Sequence, residues 1–217
     1  QAAASAGREP SKLEQALDGV SVGASVAMVS QRALRGTTEG NKSQLNYRAD
    51  VEVEIPLAKV ADVGESKLFF HVRAGQGEGL LFAYPTLTAT PNSTAFFLQN
   101  GDDSATVIGQ AWYQFTHPLA AGASGAQPGI EATIGKIDLF GFFDQNAIAD
   151  SETDAFLNNV FVHNPLLDSG GAIGGDSYGF QPGVIASVAG AAGGENHWKA
   201  SVGVVAPGAG ASFNSGR

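Results

Sequence analysis

The chain has 217 residues, 29 of them Gly, no Cys and a formal net charge of -9. It has no continuous apolar stretch near the roughly twenty residues of a membrane helix, which excludes a helical span, and no thiols, which excludes a disulfide framework and thiolate chemistry. Its twelve basic residues are scattered among 21 acidic ones, which argues against nucleic acid, whose phosphates require clustered Lys and Arg.

In chain order, residues 1–18 form an N-terminal segment. Gln1 to Arg8 is small and polar, without the apolar centre of a signal peptide. Ser11 to Asp18, with Leu13 and Leu17 four apart, fits either a short helix or a frayed tail. The portion 19–217 then reads as strands. Gly19 to Val29 sets Val20, Val22, Ala24, Val26 and Met28 against Ser21, Gly23, Ser25 and Ala27. Asn46 to Leu57 alternates most sharply: Tyr47, Ala49, Val51, Val53 and Ile55 are apolar, while Asn46, Arg48, Asp50, Glu52 and Glu54 are polar or charged. Successive side chains of a strand point to opposite sides, so this ribbon divides an apolar environment from a watery one. At about ten to twelve residues it exceeds the usual five or six of a soluble strand and matches a tilted transmembrane strand.

Lys67 to Ala74 places Leu68, Phe70 and Val72 opposite Phe69, His71 and Arg73. Thr106 to Thr116 sets Val107, Ala111, Tyr113 and Phe115 against Gln110, Trp112, Gln114 and Thr116, and Ile130 to Ile134 continues with Ile130, Ala132 and Ile134 against Glu131 and Thr133. Val184 to Val188 and Trp198 to Val205 complete about seven strands. Long loops fall at 75–105 and 136–183. The connections alternate longer and shorter, as in outer-membrane barrels with short periplasmic turns and long external loops.

Gly135-Lys136-Ile137-Asp138, then Phe142-Phe143-Asp144-Gln145-Asn146, then Ser151-Glu152-Thr153 followed by Phe156-Leu157-Asn158 and Val162-His163-Asn164-Pro165, resembles the carbohydrate-selective porin family of bacterial outer membranes. Trp198 to Val204 is similar to a strand of that family. The likeness is clear over about a third of the chain and elsewhere rests on pattern and order. It implies an all-β fold, an antiparallel transmembrane β-barrel of roughly sixteen strands, of which this chain would supply about seven as an N-terminal half. It also implies localisation in the bacterial outer membrane, passive diffusion of carbohydrates, and no cofactor. Two departures stand out. The chain is about half the family's length, and its end, Ser212 to Arg217, is polar and Gly-rich where such barrels close on an aromatic residue. An open edge in lipid leaves backbone donors unpaired at several kcal/mol each, so the remaining strands must come from a missing C-terminal half or another chain.

In a porin the polar faces line the lumen, making Arg48, Asp50, Glu52, Glu54, His71, Arg73, Gln110, Trp112 and Gln114 candidates for the solute pathway, with Trp112 a platform for a sugar face. Any one of them could equally be the wetted face of a strand. The loop 136–183 is too long for a mere connection and is expected to fold inward as a constriction. Its candidates are Lys136, Asp138, Phe142, Phe143, Asp144 and Asn146, with Phe140, Phe156, Leu157, Val160 and Phe161 as apolar anchors; Asp and Asn there also fit turn and cap roles. Gly170 to Asp176 reads as flexible loop, and the spaced Gly75, Gly77 and Gly79 lack the spacing and following helix of a dinucleotide fingerprint. The four His, at 71, 117, 163 and 197, lack metal-ligand spacing, and no nucleophile motif is present, so no enzyme and no metal is expected. Expected partners are the lipid bilayer, small sugars or similar polar solutes, and a second copy in a homo-oligomer. A plugged or structural barrel and a soluble secreted glycan-binding β-sandwich are the competing readings. The last would pack its apolar faces together about 10 Å apart, with Asp50 and Glu52 in bulk solvent.

Overall fold

The structure, a computed structural model, describes residues 18–33, 43–57, 63–76, 105–119, 128–145, 148, 151, 153–156, 162, 180–193 and 196–206. Residues 11–17, read as a short helix or a frayed tail, and the glycine-rich tract 170–176 lie outside them. Seven strands form one open antiparallel sheet in chain order: β1 (Ser21–Arg32), β2 (Ser43–Pro56), β3 (Glu65–Gln76), β4 (Ala105–Pro118), β5 (Gly129–Asp138), β6 (Phe180–Gly193) and β7 (Asn196–Val205). Between β5 and β6 the described residues include a short helix, α1 (Phe140–Phe143).

Because every neighbour is antiparallel and consecutive, the connections fall alternately at two ends of the sheet. Residues 33–42, 77–104 and 139–179 connect at one end, and 57–64, 119–128 and 194–195 at the other. The short end is tied by backbone bonds from Leu57 N to Ser66 O at 2.8 Å and from Leu119 N to Pro128 O at 2.7 Å.

The two faces of the sheet are inverted relative to a soluble protein. One carries exposed apolar side chains on every strand: Val22, Val26 and Met28, then Val51, Phe70, Val72, Ile108, Tyr113, Ile130, Ile134, Val184, Val188, Val202 and Val204. Of the row Tyr47-Ala49-Val51-Val53-Ile55, Val51 is 43% exposed and the other four are half-buried between their neighbours. The opposite face is polar, and on it Asn46, Arg48, Asp50, His71, Arg73, Gln114, Thr133, Gln181 and Ser187 are buried. Cross-strand polar contacts run across this face, from Lys67 Nζ to Glu54 (2.8 Å), from Gln114 Nε2 to Thr133 Oγ1 (3.0 Å), between Ser187 and Ser201 (2.8 Å) and from Lys199 Nζ to Glu131 (2.9 Å). Packing sheet against sheet would have buried the apolar side first.

Three local expectations change. Every strand is extended past one or both of its expected ends, because alternation counts only residues whose polarity contrasts. Lys136 and Asp138 consequently belong to β5 and not to the loop, paired with Pro182 and Phe180 of β6. Val107 does not share a face with Ala111 and Tyr113. A β-bulge at Gly109 shifts the register between His71 and Val72, so Val107 stands opposite Arg73 on the polar side and Ile108 takes the apolar side.

Candidate functional site

Arg48 and Asp50 lie two residues apart on β2 and so project from the same face. Register places Arg73 of β3 directly opposite Asp50 and His71 opposite Glu52. The Asp50 carboxylate accepts from three groups: Arg48 Nε on Oδ2, and His71 Nε2 at 2.6 Å and Arg73 Nε at 2.9 Å on Oδ1. His71 is 3% exposed and Asp50 6%. A buried ion costs several kcal/mol of desolvation, and each charge-assisted bond returns about 1.5–3 kcal/mol. The cluster therefore contributes little net stability but defines where its side chains stand.

Phe180, at the start of β6, braces this cluster. Arg73 lies over its ring at 5.0 Å, Lys136 approaches at 5.8 Å, and His71 meets it edge-on at 5.7 Å. Glycine at the bulge gives these rings room, because a Cβ on Gly109 would stand 2.9 Å from His71 Nδ1 and 3.0 Å from the Phe180 ring, so a larger residue would displace them. His71 Nδ1 and Asn46 Oδ1 are buried without a hydrogen-bond partner among the described residues.

The chain after β5 turns back onto the polar face. Leu139, with Ile137 and Ile185, forms a small apolar cluster against which Trp112, Phe142 and Val205 pack. Phe142 meets Trp112 edge-on at 5.9 Å, and the Phe143 ring lies over Gly203, 3.1 Å from where a Cβ would stand. Further on, Ser151, Thr153 and Asp154 line a cavity of about 420 Å³ whose wall also includes Ser25, Arg48, Asp50, Glu52, His71, Arg73, Gln110 and Asp138. This is within the range of small-molecule sites, roughly 300–1,000 Å³. The segment is held locally, with Asp154 N bonded to Ser151 Oγ at 3.0 Å and Ser151 Oγ to Asp154 Oδ2 at 3.2 Å.

A second cavity of about 370 Å³ lies on the same face toward the short-turn end, lined by Glu54, Glu65, Lys67, Gln114 and Thr116 among others. Between the two stands Trp112, stacked on Phe69 at 4.8 Å with Lys67 at 5.7 Å.

The structure thus brings Arg48, Asp50, Glu52, His71, Arg73, Gln110 and Asp138 to one cavity and Glu54 and Gln114 to the other. Phe69, Phe142 and Lys67 are neighbours of the Trp112 ring, which anchors the returning segment. Lys136 donates to Ile108 O at 2.9 Å, Phe142 and Phe143 fasten α1, and Asp144 forms its C-cap. Phe156 is exposed, and Asn146, Leu157, Val160 and Phe161 lie outside the described residues. Sequence reasoning missed Ser25, Ser151, Thr153, Asp154 and Phe180. Ser25 was readable as a polar-face residue, but only the register sets it opposite Asp50. Comparison with family models, curated proteins and solved structures found no match for this chain.

Proposed function

We propose that this chain forms part of the wall of an outer-membrane channel of the carbohydrate-porin type, through which carbohydrates or similar small polar solutes diffuse passively. The observation that carries the reading is the inverted sheet: apolar side chains exposed along all seven strands, with Arg48, Asp50, His71 and Arg73 buried on the other side. Lipid would cover the first face and the second would border water, the arrangement of a transmembrane barrel. β1 and β7 are the two edges of the sheet, and in hydrocarbon their outer backbone groups need partners. Further strands, bringing the total to about sixteen, would pair with them and close the wall. The returning segment, fastened by Phe142 on Trp112 and lining a cavity with Asp154, would narrow the lumen and sort solutes by size and charge. Weak, multi-site contacts suit passage, since a solute must leave as well as enter.

The test is reconstitution into planar bilayers and into liposomes. Stepwise ion conductance, with liposome swelling in small sugars that fades as the sugars grow, is expected. A protein that inserts but neither conducts nor admits sugars would not be a porin. That outcome would favour a second reading, a structural barrel with a plugged lumen, which the presence of Ser151, Thr153 and Asp154 in the wall of the ion-cluster cavity also suits. A protein that stays soluble and monodisperse without detergent would remove both.

A further inference from the structure

The charges lining the larger cavity do not balance. Among the described residues that line it, Arg48 and Arg73 supply two guanidinium groups beside His71, while Asp50, Glu52, Asp138 and Asp154 supply four carboxyl groups. The two guanidinium groups both turn their Nε atoms to Asp50, which holds them against the wall. Asp154 enters from the opposite direction, on the returning segment, with its carboxylate steadied by Ser151 and Thr153. We propose that Asp50, on the wall, and Asp154, on the returning segment, set the charge preference of the passage, so that it admits small cations, including solutes bearing an amine, in preference to anions. This rests on the channel reading above.

The physical reason is local. A narrow aqueous space with low-dielectric walls concentrates the field of its lining, and a net negative lining raises the local cation concentration and lowers that of anions. At about 7 Å in water a single charge is worth about one RT, so removing one carboxylate changes the enrichment about two- to threefold, and more at low salt than at high. Asp50 acts twice, as a charge and as a positioning residue. Without it the guanidinium groups lose their common acceptor and their charge is no longer offset.

The experiment measures the K⁺ to Cl⁻ permeability ratio of the intact channel from the zero-current potential in a KCl gradient across a planar bilayer. A ratio above one is expected. Asp154→Asn, on an exposed turn, is expected to lower it severalfold, up to about sevenfold at low salt because cation and anion levels shift in opposite senses, while single-channel openings persist. Asp50→Asn is expected to lower it at least as far and toward anion preference, with Asp154→Asn keeping the test decisive if Asp50→Asn does not fold. An unmodified channel that prefers Cl⁻, or an Asp154→Asn channel whose ratio does not move, overturns this inference and leaves the channel standing. Absence of any conductance from the unmodified protein overturns the channel reading and this inference with it.

Discussion

His71 donates to Asp50, 2.6 Å away, although its direct cross-strand neighbour on β2 is Glu52. The contact is diagonal, and Arg73, which does stand opposite Asp50, shares the same carboxylate oxygen. Asp50 therefore concentrates the polar contacts of two strands on one residue, and Glu52 is left facing the cavity. The first prediction follows from this convergence. Asp50→Ala removes the acceptor from two buried guanidinium groups and an imidazole, and breaking a buried pair from one side costs about 3–5 kcal/mol. Urea unfolding of the protein in detergent micelles should show a midpoint lowered accordingly, whereas Glu52→Ala should leave it nearly unmoved.

The exposed apolar face separates lipid from water as its surroundings. Val202 is 67% exposed and lies on the same face as Val51. In water, replacing such a side chain by Arg is nearly neutral, within about 0.5 kcal/mol. In a bilayer, Arg near the midplane of a barrel's outer face costs about 2–4 kcal/mol. Folding equilibria of Val202→Arg and Val51→Arg measured in lipid vesicles should show the larger penalty. A neutral result at both positions would contradict lipid contact.

Gly135 and Gly141 make an opposed pair. Gly135 has φ +148°, and a Cβ there would stand 2.2 Å from Ala111 O, so Gly135→Ala should destabilise by more than the roughly 1–3 kcal/mol of a strained backbone alone. Gly141, inside α1, has nothing within 4 Å of its would-be Cβ. Gly141→Ala should stabilise α1 by about 0.5–1 kcal/mol. Thermal unfolding of the two variants beside the parent protein checks both signs.

The returning segment is fastened chiefly by aromatic contact. Phe142→Ala removes the edge-on ring from Trp112 and part of the packing over Ile137 and Ile185. Protease cleavage within 139–179 should become faster, and in a Trp198→Phe background the emission of Trp112 should shift to the red. If the segment narrows a lumen, single-channel conductance of the variant should rise.

Much of this was legible from alternation alone. The period of two located all seven strands, because a strand with two different environments must change polarity at every step. It also placed Arg48, Asp50, His71 and Arg73 on one face, and the order of long and short connections described the two ends of the sheet. Strand ends were less visible, since Phe180 and Gln181 in β6 carry no contrast that marks them as buried.

What the sequence by itself determined is which side chains share a face, a property of each strand's own backbone geometry. Only the tertiary structure decided which of them meet. The register brings Arg73 to Asp50, the bulge at Gly109 moves Val107 to the polar side, and the packing of Phe142 on Trp112 accompanies the return of Asp154 to the cavity. These relations depend on residues 20 to more than 100 positions apart, and no local pattern encodes a distance across the sheet.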